Sequence, residues 1–213
     1  MHLNQKELSE WSAGFFDGDG TLRVGIGKDE RTGDYRMQPN AKVHQAYVSG
    51  LFDAEGCIIP GMQTDGEYRT GHKIRPRVLI QQIQTENDPL AKLIAHAESI
   101  DVDYNIRTAY RDDRDYKFFN FTVSNRDDLR RYLVDLTPHL TVKRKQAEIM
   151  ASEVVPRINR GANKTKRDFL KTMFWVDKMN SLKGGNRGKY TREYFEDLWG
   201  MELSDREIDR MCE

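Results

Sequence analysis

Residues 11–20 read WSAGFFDGDG, and residues 47–56 read YVSGLFDAEG, 36 positions later. Both stretches run from small residues to an acid followed by glycine, so they are copies of one motif. An internal repeat indicates that the chain builds the same local structure twice. The matched pairs are Gly14 with Gly50, Phe16 with Phe52, Asp17 with Asp53, Asp19 with Glu55, and Gly20 with Gly56.

The similarity continues beyond the motif. Residues 36–45 (RMQPNAKVHQ) resemble residues 73–82 (KIRPRVLIQQ), which places Gln45 on Gln82. Each copy therefore carries the motif, an intervening segment and a strand-like run that contains proline. The first copy stops there, because the second motif begins at once.

Small residues in each motif predict a pair of closely packed helices. Gly14 and Gly18 are four positions apart, as are Gly50 and Ala54. Residues at i and i+4 share one helix face, and a face of small side chains lets two backbones approach each other closely.

The acids at the two motif ends then become candidates for a metal site. Asp19 and Glu55 each stand directly before a glycine, which commonly ends a helix. If the two helices lie side by side, these carboxylates meet at one end. Paired carboxylates suit hard cations such as Mg²⁺ or Mn²⁺.

Two other interpretations of the first motif are disfavoured. The string FFDGDGT also suits a haloacid-dehalogenase-type phosphatase with Asp17 as nucleophile, but such an enzyme needs one nucleophile, and the repeat supplies two unlike copies. A calcium-binding EF-hand loop requires glycine at its sixth position, where Leu22 stands.

The bulk composition leaves the partner open. The chain has 213 residues, of which 34 are basic and 34 acidic, so its net charge does not by itself indicate a nucleic-acid partner. Cys57 and Cys212 fit no disulfide or metal pattern, and we expect a reducing intracellular setting, either cytoplasm or organelle matrix. No apolar run reaches 18 residues, so we expect no membrane partner.

These motifs resemble those of the LAGLIDADG homing endonucleases, and residues 46–150 are similar to one repeat of that family. The resemblance implies an α+β fold: an αββαββα unit with an antiparallel saddle sheet, preceded by a partial repeat and followed by a helical C-terminal extension. The corresponding segments are 1–45 for the partial unit, 46–155 for the complete unit and 156–213 for the extension.

In that family the strands lie over the DNA major groove, which implies a DNA-reading face on strand 73–82. Apolar Ile74, Val78 and Ile80 alternate there with the polar candidates. Residues implied to contact DNA are Lys73, Arg75, Arg77 and Gln81, with Arg107 and Arg111 on the next hairpin as weaker candidates.

The segment LTPHLTVKRKQAEIM resembles the one that carries the family's active-site lysine. The match implies Lys143, with Lys145 as a near alternative. Gln82 matches a polar residue that orients water, and Gln45 is its copy in the first unit.

The implied activity is site-specific cleavage of double-stranded DNA with a long recognition site. Asp19 and Glu55 would hold Mg²⁺, or another divalent cation such as Mn²⁺, and Lys143 would balance charge on the phosphate. The alternative is a non-cleaving protein on the same scaffold, either an intron RNA maturase or a DNA-binding regulator.

The spacing of the motifs leaves two assemblies open. Either the two motif helices pair within one chain, or two chains pair through the second motif as a homodimer with Glu55 and Lys143 in both subunits.

The extension segregates charge: residues 156–190 hold ten Lys/Arg against two Asp, whereas residues 191–213 hold eight acids against three Arg. The basic stretch suits phosphate contacts.

Overall fold

The computed structural model describes residues 5–19, 41–83, 89–111, 114–183 and 188–212. It is an α+β structure, as predicted. The α-helices are α1 (Gln5–Asp19), α2 (Ala41–Glu55), α3 (Pro89–Ser99), α4 (Arg126–Leu136), α5 (Arg144–Ile149), α6 (Val155–Asn159), α7 (Lys166–Ser181), α8 (Arg192–Trp199) and α9 (Asp205–Cys212).

Six strands form two sheets within the described residues. The strands are β1 (Gly56–Ile59), β2 (Met62–Thr64), β3 (His72–Ile74), β4 (Arg77–Ile83), β5 (Asn105–Arg111) and β6 (Arg114–Val123). The larger sheet has the order β1-β4-β6-β5, and β2 pairs with β3 alone. β5 and β6 are antiparallel, with Arg107 opposite Asn120. From α2 to α4 the helices alternate with two hairpins, as the predicted αββαββα order requires, but each arm of the first hairpin is divided into two strands, β1 with β2 and β3 with β4.

The predicted single strand over residues 73–82 is wrong, because the structure divides it into β3 and β4. Pro76 lies at the break and has no N–H to donate to a strand ladder. On the other arm of the hairpin, Gly61 has a φ of +59° and accepts a hydrogen bond from the Arg75 N–H at 2.9 Å. A Cβ at Gly61 would lie 2.2 Å from the Arg75 oxygen, so this close approach requires glycine.

The first of two compact units takes the described residues of Met1–Cys57, Leu79–Val123 and Asp135–Val142. Its helices and strands bury apolar side chains from α2, α3, β4 and β6. The largest of those that are fully buried are Leu51, Phe52, Ile80, Leu93, Phe119 and Phe121. The hairpin predicted for the first repeat falls on residues outside the described part of the chain up to residue 40, and the last five residues of its predicted strand, 41–45, belong to α2 instead.

The second unit takes Ile58–Val78, Ser124–Val134 and the described residues of Lys143–Glu213. Its core is built by α4, α7, α8 and the segment Met150–Val154, which is π-helical and lies between α5 and α6. The core side chains include Leu129, Tyr132, Val154, Phe169, Leu170, Met173 and Phe195. Pro156, at the start of α6, lacks the N–H that a continuous α-helix would use, which accounts for the irregular turn.

Residues of the C-terminal extension contact both arms of the hairpin that lies within residues 58–78 of this second unit. The buried Asn163 amide accepts from the Ile74 N–H at 3.1 Å and donates to the Ile74 oxygen at 3.3 Å. The Lys183 ammonium donates to the Ile58 oxygen at 2.7 Å. The His72 ring packs edge-on against Phe195, with ring centroids 5.0 Å apart. Both arms of the hairpin are therefore fixed by residues more than 80 positions away.

None of the helices in the described part of the chain has the length and apolar character needed to cross a membrane.

We predict that Asn163→Ala lowers the free energy of unfolding by about 1–3 kcal/mol, because it leaves the Ile74 N–H and oxygen without partners in a buried place. Asn159→Ala is the matched control, since the Asn159 amide bonds to Asp127 at an exposed position. Urea denaturation measures both variants. Equal losses in the two would contradict the bracing role of Asn163.

We also predict an acid-sensitive contribution from the ion pair between α7 and α9. The Arg167 guanidinium donates two hydrogen bonds to Glu207 and holds the pKa of that carboxyl well below its ordinary value of 4.5. A depressed pKa stabilises the fold above the unfolded-state pKa, and the contribution disappears as pH falls through the folded-state value.

Glu207→Gln should therefore unfold more easily than wild type at neutral pH, and the difference should shrink below about pH 4.5. Thermal unfolding across a pH series measures it, with Glu193→Gln at an exposed position of α8 as control. A difference that stays constant between pH 7 and pH 3 would refute the assignment.

Candidate active site and nucleic-acid interface

The two motif helices pack against each other through their glycines, as the repeat predicted. A Cβ placed on Gly14 would lie 1.9 Å from the backbone oxygen of Tyr47, and one on Gly50 would lie 1.9 Å from the backbone oxygen of Trp11. Neither position can accept a side chain without separating the helices. The close approach of the two helix backbones therefore explains why both positions hold glycine.

Asp53 ties this helix pair to the chain that follows α4. Its carboxylate accepts from the Thr141 N–H at 2.6 Å and from the Trp11 indole N–H at 3.3 Å, and the residue is 3% exposed. Asp53 thus links α1 to α2 and fixes Thr141, two residues before Lys143. Sequence reasoning paired Asp53 with Asp17 but assigned it no role, although an acid at the same place in both copies was a usable signal.

Asp19 and Glu55 are the last residues of α1 and α2. Each lies five residues beyond the glycine at which its helix meets the other. The Glu55 side chain is half-buried, and the Asp19 side chain lies outside the described part of the structure. Among the described side chains, no group of three His, Cys, Asp or Glu residues is placed to hold a metal ion. The donor chemistry nevertheless suits a hard divalent cation, since both helices end in carboxylates.

Gln45 does not lie at a strand end, where its match to Gln82 had placed it. It belongs to α2, ten residues before Glu55, which is about 15 Å along a helix. Its amide donates to the backbone oxygen of Asp135 at 2.8 Å. Gln45 therefore joins the start of α2 to the end of α4, and the structure does not bring it to Glu55.

Gln82 lies near the end of β4, as predicted, and is half-buried. Its side-chain oxygen accepts from the Ile83 N–H at 3.0 Å. By the alternation of a strand it shares a face with the buried Val78 and Ile80. It is thus on the opposite side of β4 from Gln81.

The two candidate lysines occupy different environments at the start of α5. Lys143 is the N-cap residue of α5 and is half-buried, whereas Lys145 lies within the helix and is exposed. The Lys143 oxygen accepts from the Ala147 N–H at 2.9 Å, which starts the helix. Its backbone is therefore well fixed.

An open polar row crosses three strands of the larger sheet. The exposed Gln81 on β4 donates from its amide to the Asn120 side-chain oxygen on β6 at 3.0 Å. Asn120 lies directly opposite Arg107 on β5, and directly opposed residues of an antiparallel pair share a face. We name Gln81, Asn120 and Arg107 the polar row. Sequence reasoning missed Asn120, although the alternation in FFNFTV marked it as a polar position between buried phenylalanines.

The other candidate DNA-contacting residues do not lie on one strand face, as predicted, but on different elements. Lys73 lies on β3 in the small sheet, and its ammonium forms an ion pair with Asp65. Because Lys73 hydrogen-bonds that carboxyl, it holds the pKa of Asp65 below the ordinary value. Arg75 is exposed between the strands, and Arg77 is exposed at the start of β4. Arg111 ends β5, with its side chain outside the described part of the structure.

Comparison with curated proteins shows similarity to a DNA endonuclease. The DNA endonuclease I-CreI of Chlamydomonas reinhardtii is 26% identical over 149 residues, which cover 69% of this chain and 83% of the relative. No family model matches the chain.

Solved structures match the fold over most of the chain. The homing endonuclease I-CvuI, solved with the I-CreI target DNA and Mg, has a TM-score of 0.62 at 19% identity over 78% of this chain and 99% of that chain. The archaeal intron-encoded homing endonuclease I-Vdi141I, complexed with DNA, has a TM-score of 0.57 at 15% identity over 72% and 92%. The LAGLIDADG homing endonuclease I-SmaMI, bound to cleaved DNA, has 0.54 at 14% over 74% and 50%.

We predict that Asp53→Ala lowers the free energy of unfolding by about 1–3 kcal/mol, because the Thr141 N–H and the Trp11 indole lose their acceptor. Asp53→Asn keeps an acceptor oxygen of the same shape and should cost less. Trp11→Phe removes one donor only and serves as the second control. Urea denaturation compares the three, and an Asp53→Ala variant as stable as wild type would refute the linking role.

Proposed function

We propose, since this chain belongs to the LAGLIDADG homing endonuclease family, that it cleaves double-stranded DNA at a specific site. The observation that carries the proposal is the reciprocal packing of Gly14 and Gly50, which pairs two helices that each end in a carboxylate. Relatives of this fold have been solved with DNA targets, and one of them with cleaved DNA.

The proposed cofactor is Mg²⁺, or another divalent cation such as Mn²⁺, held by Asp19 and Glu55. I-CvuI was solved with DNA in the presence of Mg and of Ca, which is consistent with divalent cations in proteins of this fold. A bound cation polarises the phosphate and lowers the pKa of a water that attacks it. Asp53 is engaged with Thr141 and Trp11, so we assign it no metal ligand role.

Lys143 is proposed to balance the negative charge that grows on the phosphate as the bond to the 3′ oxygen breaks. The half-buried position of Lys143 supports it over the exposed Lys145, because a charge acts more strongly on a transition state where water is partly excluded. Gln82 remains the proposed water-orienting residue. For Gln45 the bond to Asp135 supports a role in holding α2 instead.

The polar row is proposed to read base edges in the major groove. The Gln81 amide gives one N–H to Asn120 and keeps its oxygen and second N–H, the pair that matches adenine. Arg107 carries the donors that match guanine. Arg77 and Arg75, both exposed, are proposed phosphate or base contacts, and Arg111 remains a candidate. Lys73, paired with Asp65, is the weakest of the set.

We predict that purified protein with Mg²⁺ linearises a plasmid carrying the uninterrupted DNA that flanks its gene. Asp19→Asn and Glu55→Gln should each reduce cleavage by more than about a hundredfold, because each removes a charge that the cation requires. Glu148→Gln, at an exposed position of α5, is the control and should cleave normally. Binding of the same DNA in Ca²⁺ is measured in parallel by mobility shift.

Two outcomes would change the proposal. Cleavage that survives both substitutions would remove Asp19 and Glu55 from the chemistry. Tight binding of that DNA, or of the intron RNA, without cleavage by wild type would favour the non-cleaving alternative, a maturase or a DNA-binding regulator.

A further inference from the structure

We propose that three apolar side chains on the open face of the larger sheet contact the C5 methyl groups of thymines, so that the target is recognised by these methyl groups as well as by hydrogen bonds. The three are Leu79 and Ile83 on β4 and Phe118 on β6, and we name them the apolar flank. The inference rests on the proposed function, because it assigns a class of base to the same DNA-reading face.

On β4 the apolar flank lies opposite the core. The core side of this strand carries the buried Val78 and Ile80. Because successive side chains of a strand point to opposite faces, Leu79 and Ile83 share the other face with Gln81. Leu79 is half-buried and Ile83 is 39% exposed. Both therefore stand on the side that carries the polar row, one before and one after Gln81 along the strand.

The same alternation applies to β6. Phe119 and Phe121 are buried on the core side of this strand. Phe118 and Asn120 are half-buried and occupy its other face. The hydrogen bond from Gln81 to Asn120 joins the open faces of β4 and β6 into one surface. The polar row is therefore bordered by apolar side chains on both strands.

This combination of side chains indicates the kind of partner. The open face of an antiparallel sheet is ordinarily polar, because water covers it. Large apolar side chains grouped on such a face mark a contact with a partner. The amides of the polar row and the guanidinium of Arg107 require that the same partner also offer donors and acceptors. The major groove of DNA presents both kinds of group side by side.

Thymine supplies the apolar group in that groove. Each base pair presents hydrogen-bonding edges there, and thymine adds a C5 methyl that apolar side chains can contact. The minor groove has no such methyl, so the proposal also commits this face of the sheet to the major groove. Removing the methyl from thymine gives uracil, which pairs with adenine in the same way. The contact can therefore be tested one chemical group at a time.

The strand sets how far apart these contacts fall. Leu79 and Ile83 are each two residues from Gln81, which is about 6.6 Å along a strand at 3.3 Å per residue. DNA rises about 3.4 Å per base pair. Where β4 follows the groove, each contacted methyl therefore lies about two base pairs from the base pair that Gln81 reads.

The first test changes the DNA and leaves the protein intact. The uninterrupted DNA that flanks the gene is prepared once with thymidine and once with deoxyuridine in its place, and binding of wild-type protein is measured by mobility shift in Ca²⁺. Burial of one methyl group corresponds to about fourfold in affinity, so the loss of two or three contacts should weaken binding by more than about tenfold. Equal binding of the two DNAs would overturn the inference.

The second test assigns the methyl contacts to the apolar flank. Ile83→Ala and Phe118→Ala should bind the thymidine DNA more weakly and lose part of the preference for thymidine over deoxyuridine, because a double-mutant cycle measures the coupling between groups in contact. Val134→Ala is the matched control, since Val134 is 52% exposed on a helix, and it should keep the full preference. Thermal unfolding checks that each variant folds, and Ile83→Ala truncates an exposed side chain. Variants that weaken binding of both DNAs equally would overturn the inference.

Single deoxyuridine substitutions then locate the contacted thymines. These should lie about two base pairs from the position at which Gln81→Ala relaxes base preference, and sensitive thymines that respond to no variant of the apolar flank would overturn the inference. Self-association without DNA that is lost in Phe118→Ala would assign the face to a second copy of this chain instead. Failure of wild type to bind the thymidine DNA would overturn the proposed function as well, whereas binding that ignores the methyl groups overturns this inference alone.

Discussion

The close approach of the α1 and α2 backbones at Gly14 and Gly50 is the constraint on which the rest of the site depends. At 1.9 Å from a carbonyl oxygen, a Cβ on either residue would push the helices apart. Since α2 runs directly into β1, the helix contact also sets where the larger sheet begins. Gly56 shows the same crowding at that junction, because a Cβ there would lie 2.5 Å from Phe52. Close packing therefore accounts for Gly14, Gly50 and Gly56.

The two acids of the second motif, Asp53 and Glu55, have different environments. Asp53 is nearly fully buried and is engaged by two donors, so it acts as a structural link. Glu55, two residues later at the helix end, is half-buried and leads into the sheet. A carboxylate at a helix C-terminus meets the negative end of the helix dipole, which disfavours it. A cation held there would remove that cost, which is a physical reason to look for metal at the ends and not at Asp53.

The spacing of small and apolar residues in the sequence predicted the secondary structure and the packing faces that depend on neighbouring residues. Small residues four apart predicted the helix pair, and alternation predicted the strands and the exposed side of β4. The break at Pro76 was readable but was missed, because alternation continues across it. Gln45 was misplaced since matching glutamines extended a strand pattern into a segment whose apolar spacing is helical. The hydrogen bonds between Asn163 and Ile74 and the ion pair between Lys73 and Asp65 are tertiary contacts, which no local sequence pattern predicts.

The proposed chemistry and the proposed recognition use different parts of the fold. The chemistry is assigned to the ends of α1 and α2, where Asp19 and Glu55 stand, and these ends are set by the packing of the two helices. The recognition is assigned to the polar row, whose side chains are ordered by the alternation of the strands and by the hydrogen bond between Gln81 and Asn120. Phosphate contacts carry no sequence information, so discrimination between DNA sites would depend on side chains of this kind that can reach base edges. A substitution in the polar row should therefore change which DNA is bound, whereas a substitution at Glu55 should change cleavage of a DNA that is still bound.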